Sequence, residues 1–239
     1  MISVSTILAV LTGTATMTGA QQQSTSKASV EFLDDRTSVA DPKAYQQRFL
    51  ERFTLLDVDY CAPRIRSLEV YRSAGGPVRG AAVALDPISL TNFNPPLFLR
   101  NGRANPAWEN AVHIRITPSS RDWGFPGVFK IQTGRDLRDV VESELLSAGD
   151  LTRAILEERD RRPAELMYER IFLARFESGL TLVQWRASGS ILMTYPISEG
   201  VVGSISVSNK YFDRLDSLVD IAHRFFRPCS RLLHGEPAH

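Results

Sequence analysis

His113 is the histidine with the most reactive company. In the run AVHIRIT it alternates with Val112, Ile114 and Ile116, so an extended strand puts His113, Arg115 and Thr117 on one side. The following loop, PSSRDWGFP, supplies Ser119, Ser120, Arg121, Asp122 and Trp123. A histidine set among serine and aspartate could act as general base for a serine nucleophile, the chemistry of a hydrolase. With Arg115 and Arg121 as cations, the same groups could instead make a polar face that binds an anion. Alternation alone also sends a polar row to solvent, and spacing does not establish the geometry catalysis needs. His113, Arg115, Arg121, Asp122 and Trp123 are therefore read as binding candidates, and no residue is assigned a catalytic role.

The segment from Pro87 to Pro106 is rich in asparagine and proline, and the stretch between Asn92 and Trp108 carries Phe93, Phe98 and Trp108. Long irregular segments with aromatic side chains often form binding surfaces, so these three join the candidates. The competing reading folds them back onto the core. Thr133-Gly134-Arg135 could hold an anion at a helix N-terminus, a weak signal by itself. His223 follows Asp220 on the polar face of the last helix and reads as an exposed histidine near a helix C-terminus.

Cys61 and Cys229 are the two cysteines, each beside a proline. Their separation excludes a CxxC redox motif, and two thiols make a poor zinc site. In an oxidising compartment they read as one disulfide clamping the last helix to the segment after Leu56. The chain has no glycine-rich phosphate loop, no HExxH and no GxSxG, so neither metal nor cofactor is assigned. A formal net charge of +1 gives no electrostatic footprint for nucleic acid.

These groups must be positioned by an ordinary globular chain, 43% hydrophobic and 23% charged. Lysine occurs only at Lys27, Lys43, Lys130 and Lys210, an arginine bias expected of GC-rich coding and hence of a bacterial source. No charged side chain precedes Lys27; Val4 to Leu11 is mainly apolar, and Thr18-Gly19-Ala20 offers small residues for cleavage. Residues 1–20 read as a signal peptide, 21–30 as a flexible mature terminus, 31–233 as one domain and 234–239 as a tail. The apolar stretch is too short to cross a bilayer, so no transmembrane span is expected.

Asp41-Pro42 predicts a helix with Tyr45, Phe49, Phe53 and Leu56 on one face, fading near Asp57. A hairpin is expected from RIRSLEVYRS and VRGAAVALD, and strands from AVHIRIT and GVFKIQ. A helix with Leu137, Val140, Val141, Leu145 and Leu146 as its buried face should follow, ended by Gly149, then another capped by Asp150. The last third reads as four strands, MYERIFLARFES, LTLVQWRA, SILMTY and VVGSISVS, closed by a helix capped by Asn209. Its apolar stripe runs from Tyr211 and Phe212 to Phe225 and Phe226.

The fold expected is α+β: a mainly antiparallel sheet with a C-terminal amphipathic helix packed on it and two or three further helices. The function expected is that of a non-catalytic exported protein, periplasmic or secreted, acting as an interaction or accessory module toward a protein partner. The alternatives are a hydrolase using His113 and the loop after it, and a small-ligand binder with its pocket between the sheet and the Asn/Pro segment.

Overall fold

The computed structural model describes residues 31–96, 99–101, 103–119, 124–161, 170–186 and 189–230. The signal-peptide, flexible-terminus and tail segments lie outside the described residues. Within the described residues the architecture is α+β, as the alternation in the last third predicts. Strands β1 (Leu50–Leu55), β2 (Val58–Pro63), β3 (Glu69–Arg72), β4 (Val78–Leu85) and β5 (Val112–Pro118) come first. Then follow α1 (Gly124–Thr133), β6 (Leu146–Ser147), α2 (Ala148–Arg161), β7 (Arg170–Phe176), β8 (Gly179–Arg186), β9 (Ser190–Ser198), β10 (Val201–Ser208), α3 (Leu215–Phe225) and β11 (Arg227–Pro228).

The main sheet has the order β3-β4-β5-β10-β9-β8-β7-β6, antiparallel except where β6 meets β7. β8 lies inside it, as its two-sided apolar pattern requires. On one face Ile114, Ile205, Met193, Val183 and Trp185 join a core completed by Leu218, Val219, Ala222 and Phe225 of α3 and by Leu151 and Ile155 of α2. Full burial of a large apolar side chain stabilises by roughly 1.5–3 kcal/mol, so the α3 stripe holds that helix to the sheet. On the other face α1 sets Phe125 and Phe129 against Leu173, Leu182 and Val202. The rest of that face, around His113 and Ser206, is where the candidate site lies.

β1, β2 and β11 form a separate three-stranded ribbon. Arg227 pairs with Cys61 in register, and the Cys61–Cys229 disulfide beside it has its Cα atoms 5.0 Å apart. The expected clamp is present, tying the end of α3 to β2. Tyr60 of β2 reaches back to the sheet through a 2.5 Å hydroxyl–hydroxyl bond with Ser198.

Four local expectations are corrected. The helix from Asp41 to Asp57 is instead two short 3-10 turns, Pro42–Tyr45 and Gln47–Phe49, followed by the β1–β2 hairpin. Asp41 does cap the first turn, accepting from the Lys43 amide at 2.8 Å. Phe53 belongs both to the four-residue series from Tyr45 and to the alternating pair Phe53 and Leu55, and the ribbon selects the second period. The hairpin turn is Leu56-Asp57, both at positive φ, the conformation of a type I′ turn without its usual glycine.

GVFKIQ is helical, not a strand: Phe125 and Phe129, four residues apart, stack onto the sheet as α1. The helix expected from Leu137 to Leu146 is two 3-10 turns, Leu137–Asp139 and Glu142–Glu144, leading into β6. Leu137, Val140 and Leu145 still pack on the second core, but Val141 is exposed. Asp136 accepts from the Arg138 amide there, a turn that competes with continued helix. Finally, the caps move by one element. Ser147, not Asp150, caps α2 through the Asp150 amide, and Ser208, not Asn209, opens the 3-10 turn Asn209–Arg214 that precedes α3.

Candidate functional site

A cleft of about 510 Å³ opens where β5 and β10 emerge beside the end of the Asn/Pro segment. Its first wall is aromatic. Asn105 accepts from the Ala107 amide at 3.0 Å, starting the 3-10 turn Pro106–Asn110 that carries Trp108, and its own amide binds the Pro96 carbonyl at 2.9 Å. Phe93 meets the Trp108 ring edge-on at 5.4 Å. Trp108 stacks on His113 at 6.1 Å, with 24° between the planes. His113 Nε2 lies 3.2 Å from the Trp108 carbonyl. A carbonyl only accepts, so Nε2 donates, and in the neutral ring Nδ1 is the acceptor nitrogen.

The second wall comes from β10 and the turn beyond it. VVGSISVS alternates, so Val201, Ile205 and Val207 enter the core while Ser204, Ser206 and Ser208 share the opposite face. Register sets Ser206 beside His113 and Ser208 beside Ser190. Asn209 is anchored by its backbone N–H to the Gly189 carbonyl at 2.8 Å, and Gly189, at φ +78, is where a side chain would be strained. Lys210 Nζ donates to Asn110 Oδ1 across 3.4 Å and links the two walls. Glu109 and Lys210 set opposite charges on the cleft.

The structure thus brings Phe93, Trp108 and His113 together. Arg115 shares the His113 face two residues along β5 and is exposed. Phe98, Arg121, Asp122 and Trp123 lie outside the described residues, as does Ser120. Ser119 is described, its amide bound to the Gly200 carbonyl at 2.6 Å. At about 3.3 Å per residue, β5 separates it from His113 by about 20 Å. Ser119 is therefore no partner for that histidine.

Ser206, Ser208, Asn209 and Lys210 were not candidates from the sequence. The alternation of VVGSISVS held the signal for a hydroxyl row, but only the β5–β10 pairing shows that this row faces His113.

A second cleft, about 640 Å³, lies between α1, β7 and the 3-10 turns. Phe129, Val140, Ile171 and Leu173 line it together with Gln132, Thr133 and Arg170, so its surface is mixed. Arg135 and Glu144 beside it are already bonded to each other at 2.5 Å. Each holds the other's charge: Arg135 is raised, and Glu144 lowered, by that bond.

His223 is not the exposed group expected of it. Its ring lies against Tyr195 at 4.1 Å, and its Nε2 is buried without a hydrogen-bond partner. Burial lowers its pKa to about 4; Asp220 opposes this and Arg227 reinforces it. The Tyr195 hydroxyl is likewise buried without a partner, and burial pushes its pKa up. Tyr45, near Asp220, Arg224 and Arg227, is pushed up to about 12 by burial. Tyr195 is packed in the core and Tyr45 and His223 are half-buried against it, whereas the Trp108 cleft opens to solvent.

No helix among the described residues is long and apolar enough to cross a membrane, and no group of three or more potential metal ligands occurs among them. No family model, no curated protein and no solved structure matches the chain.

Proposed function

We propose that this protein is a non-catalytic exported accessory module, periplasmic or secreted, that works by binding through the Trp108–His113 cleft. The observation that carries the reading is the construction of the aromatic wall. The His113 ring is engaged on its face by Trp108 and at Nε2 by the Trp108 carbonyl, an arrangement that holds a surface still. A rigid wall lowers the entropy cost of binding, because little is left to order when the ligand arrives. The other wall stands on β10, which is paired on both sides, so it is rigid as well. The cleft lies between the sheet and the 3-10 turn that follows the Asn/Pro segment, and its concave form supports a ligand as its occupant alongside a protein partner. Export is supported by the Cys61–Cys229 disulfide, a bond that persists in oxidising compartments.

Site-specific photocrosslinking tests the reading. A diazirine amino acid at Lys210, on the cleft, is compared with one at Tyr71, exposed on β3, in protein expressed in an envelope-bearing host. Adducts from position 210 alone are expected. Equal adducts from both positions would remove the cleft as the contact site.

A further inference from the structure

The polar groups of the Trp108 cleft are of a restricted kind. Ser206 offers a hydroxyl, one donor and two acceptors; Ser208, whose oxygen already accepts from the Lys210 amide, offers its donor and a remaining acceptor; and the Asn209 side-chain amide offers both donor and acceptor. His113, with Nε2 committed to the Trp108 carbonyl, adds the acceptor Nδ1. A ligand satisfying this mixture must itself donate and accept at closely spaced positions, as a row of hydroxyl groups does.

The other ligand classes fit less well. An anion asks for donors and positive charge, yet among the described residues the one lysine or arginine lining the cleft, Lys210, is bound to Asn110 and has Glu109 beside the same cleft. An apolar ligand would find little but Trp108 and Ala111, because Val207 is buried on the opposite face of β10. A peptide adding as a strand has no free edge here, since β10 is paired with β5 on one side and β9 on the other. We infer that the cleft binds an uncharged saccharide. The serine and asparagine groups of β10 and its following turn bond the sugar hydroxyls, and the Trp108–His113 stack forms the flat wall. This inference rests on the cleft being the functional site.

The test uses the full chain and titrates maltotriose and chitotriose as uncharged probes and a sulfated trisaccharide as the anionic one, by calorimetry. Ser206→Tyr fills the cleft from β10, and Asn209→Ala removes the side-chain amide without adding bulk. Circular dichroism and melting temperature verify that both variants fold. Binding of an uncharged probe is expected, insensitive to added salt because no net charge is neutralised. Ser206→Tyr should weaken it at least about tenfold, or about 1.4 kcal/mol, and Asn209→Ala by a smaller factor in the same direction. Binding of the sulfated probe alone, lost with Ser206→Tyr, overturns the uncharged ligand but keeps the cleft. Binding of an uncharged probe unchanged in both variants overturns the cleft. Failure of every probe to bind overturns the saccharide inference, while the photocrosslinking at Lys210 still decides the cleft.

Discussion

His223 of α3 lies over the ring of Tyr195 of β9, 4.1 Å between centroids and 32° between planes. The pair is made possible by a third residue: Gly203, opposite Tyr195 on β10, has no side chain where the tyrosine ring passes. Helix and sheet therefore meet through two polar-tipped rings where apolar side chains would be the ordinary choice.

Gly203→Ala follows directly. An added Cβ would clash with Cζ of Tyr195, far inside van der Waals contact, so the ring must move and carry His223 with it. Overpacking of this kind costs about 1–3 kcal/mol. Urea unfolding of the variant should give a lower midpoint with an unchanged slope; a midpoint equal to wild type would show that the ring has room to move.

The half-buried His223, with its Nε2 enclosed, makes stability depend on pH. Its ordinary pKa is 6.5 and its folded value is about 4, chiefly because burial disfavours the imidazolium. Between these values the unfolded chain binds a proton that the native protein refuses, so stability falls as pH drops from 6.5 toward 4 and this contribution levels off below 4. The loss is on the order of 3 kcal/mol in full. His223→Phe keeps a ring on Tyr195 and should flatten the pH dependence of the melting temperature over that window. A variant with the same pH profile as wild type would sink the assignment.

Breaking the clamp should be costly. Replacing Cys61 and Cys229 together with alanine frees the end of α3 from β2 across a loop spanning 168 residues. Loss of a native disulfide typically costs about 2–5 kcal/mol. Reduction of the wild-type protein by dithiothreitol in denaturant should match the double variant in its unfolding midpoint, and a wild type indifferent to reductant would contradict the clamp.

Leu56 offers a gain instead. It is partly exposed and held at φ +47 in the β1–β2 turn, a region costing a branched side chain about 1–2 kcal/mol. Leu56→Asn should relieve part of that strain. Calorimetry should show a rise of about 2–4 °C for each kcal/mol recovered in a chain of this size. A lower melting temperature would mean that the leucine's packing outweighs its backbone strain.

The strands of the last third were legible because alternation over seven to nine residues has a unique reading when both faces are packed. The disulfide was legible from two cysteines and the absence of any motif that would use them otherwise. Elsewhere local pattern was ambiguous. Phe53 satisfies a period of four with Tyr45 and Phe49 and a period of two with Leu55, and only pairing with β2 selects the strand. Phe125 and Phe129 sit in a run with β-forming residues, and only an apolar sheet surface to cover makes it a helix. His223 reads as exposed by its neighbours in sequence, yet the sheet brings Tyr195 beneath it. The site followed the same division. Sequence alone named Phe93, Trp108 and His113 as candidates. Their union with Ser206, Ser208, Asn209 and Lys210 required β5 and β10, almost ninety residues apart in the chain, to become neighbours in the sheet. That pairing is non-local, and no spacing within one segment records it.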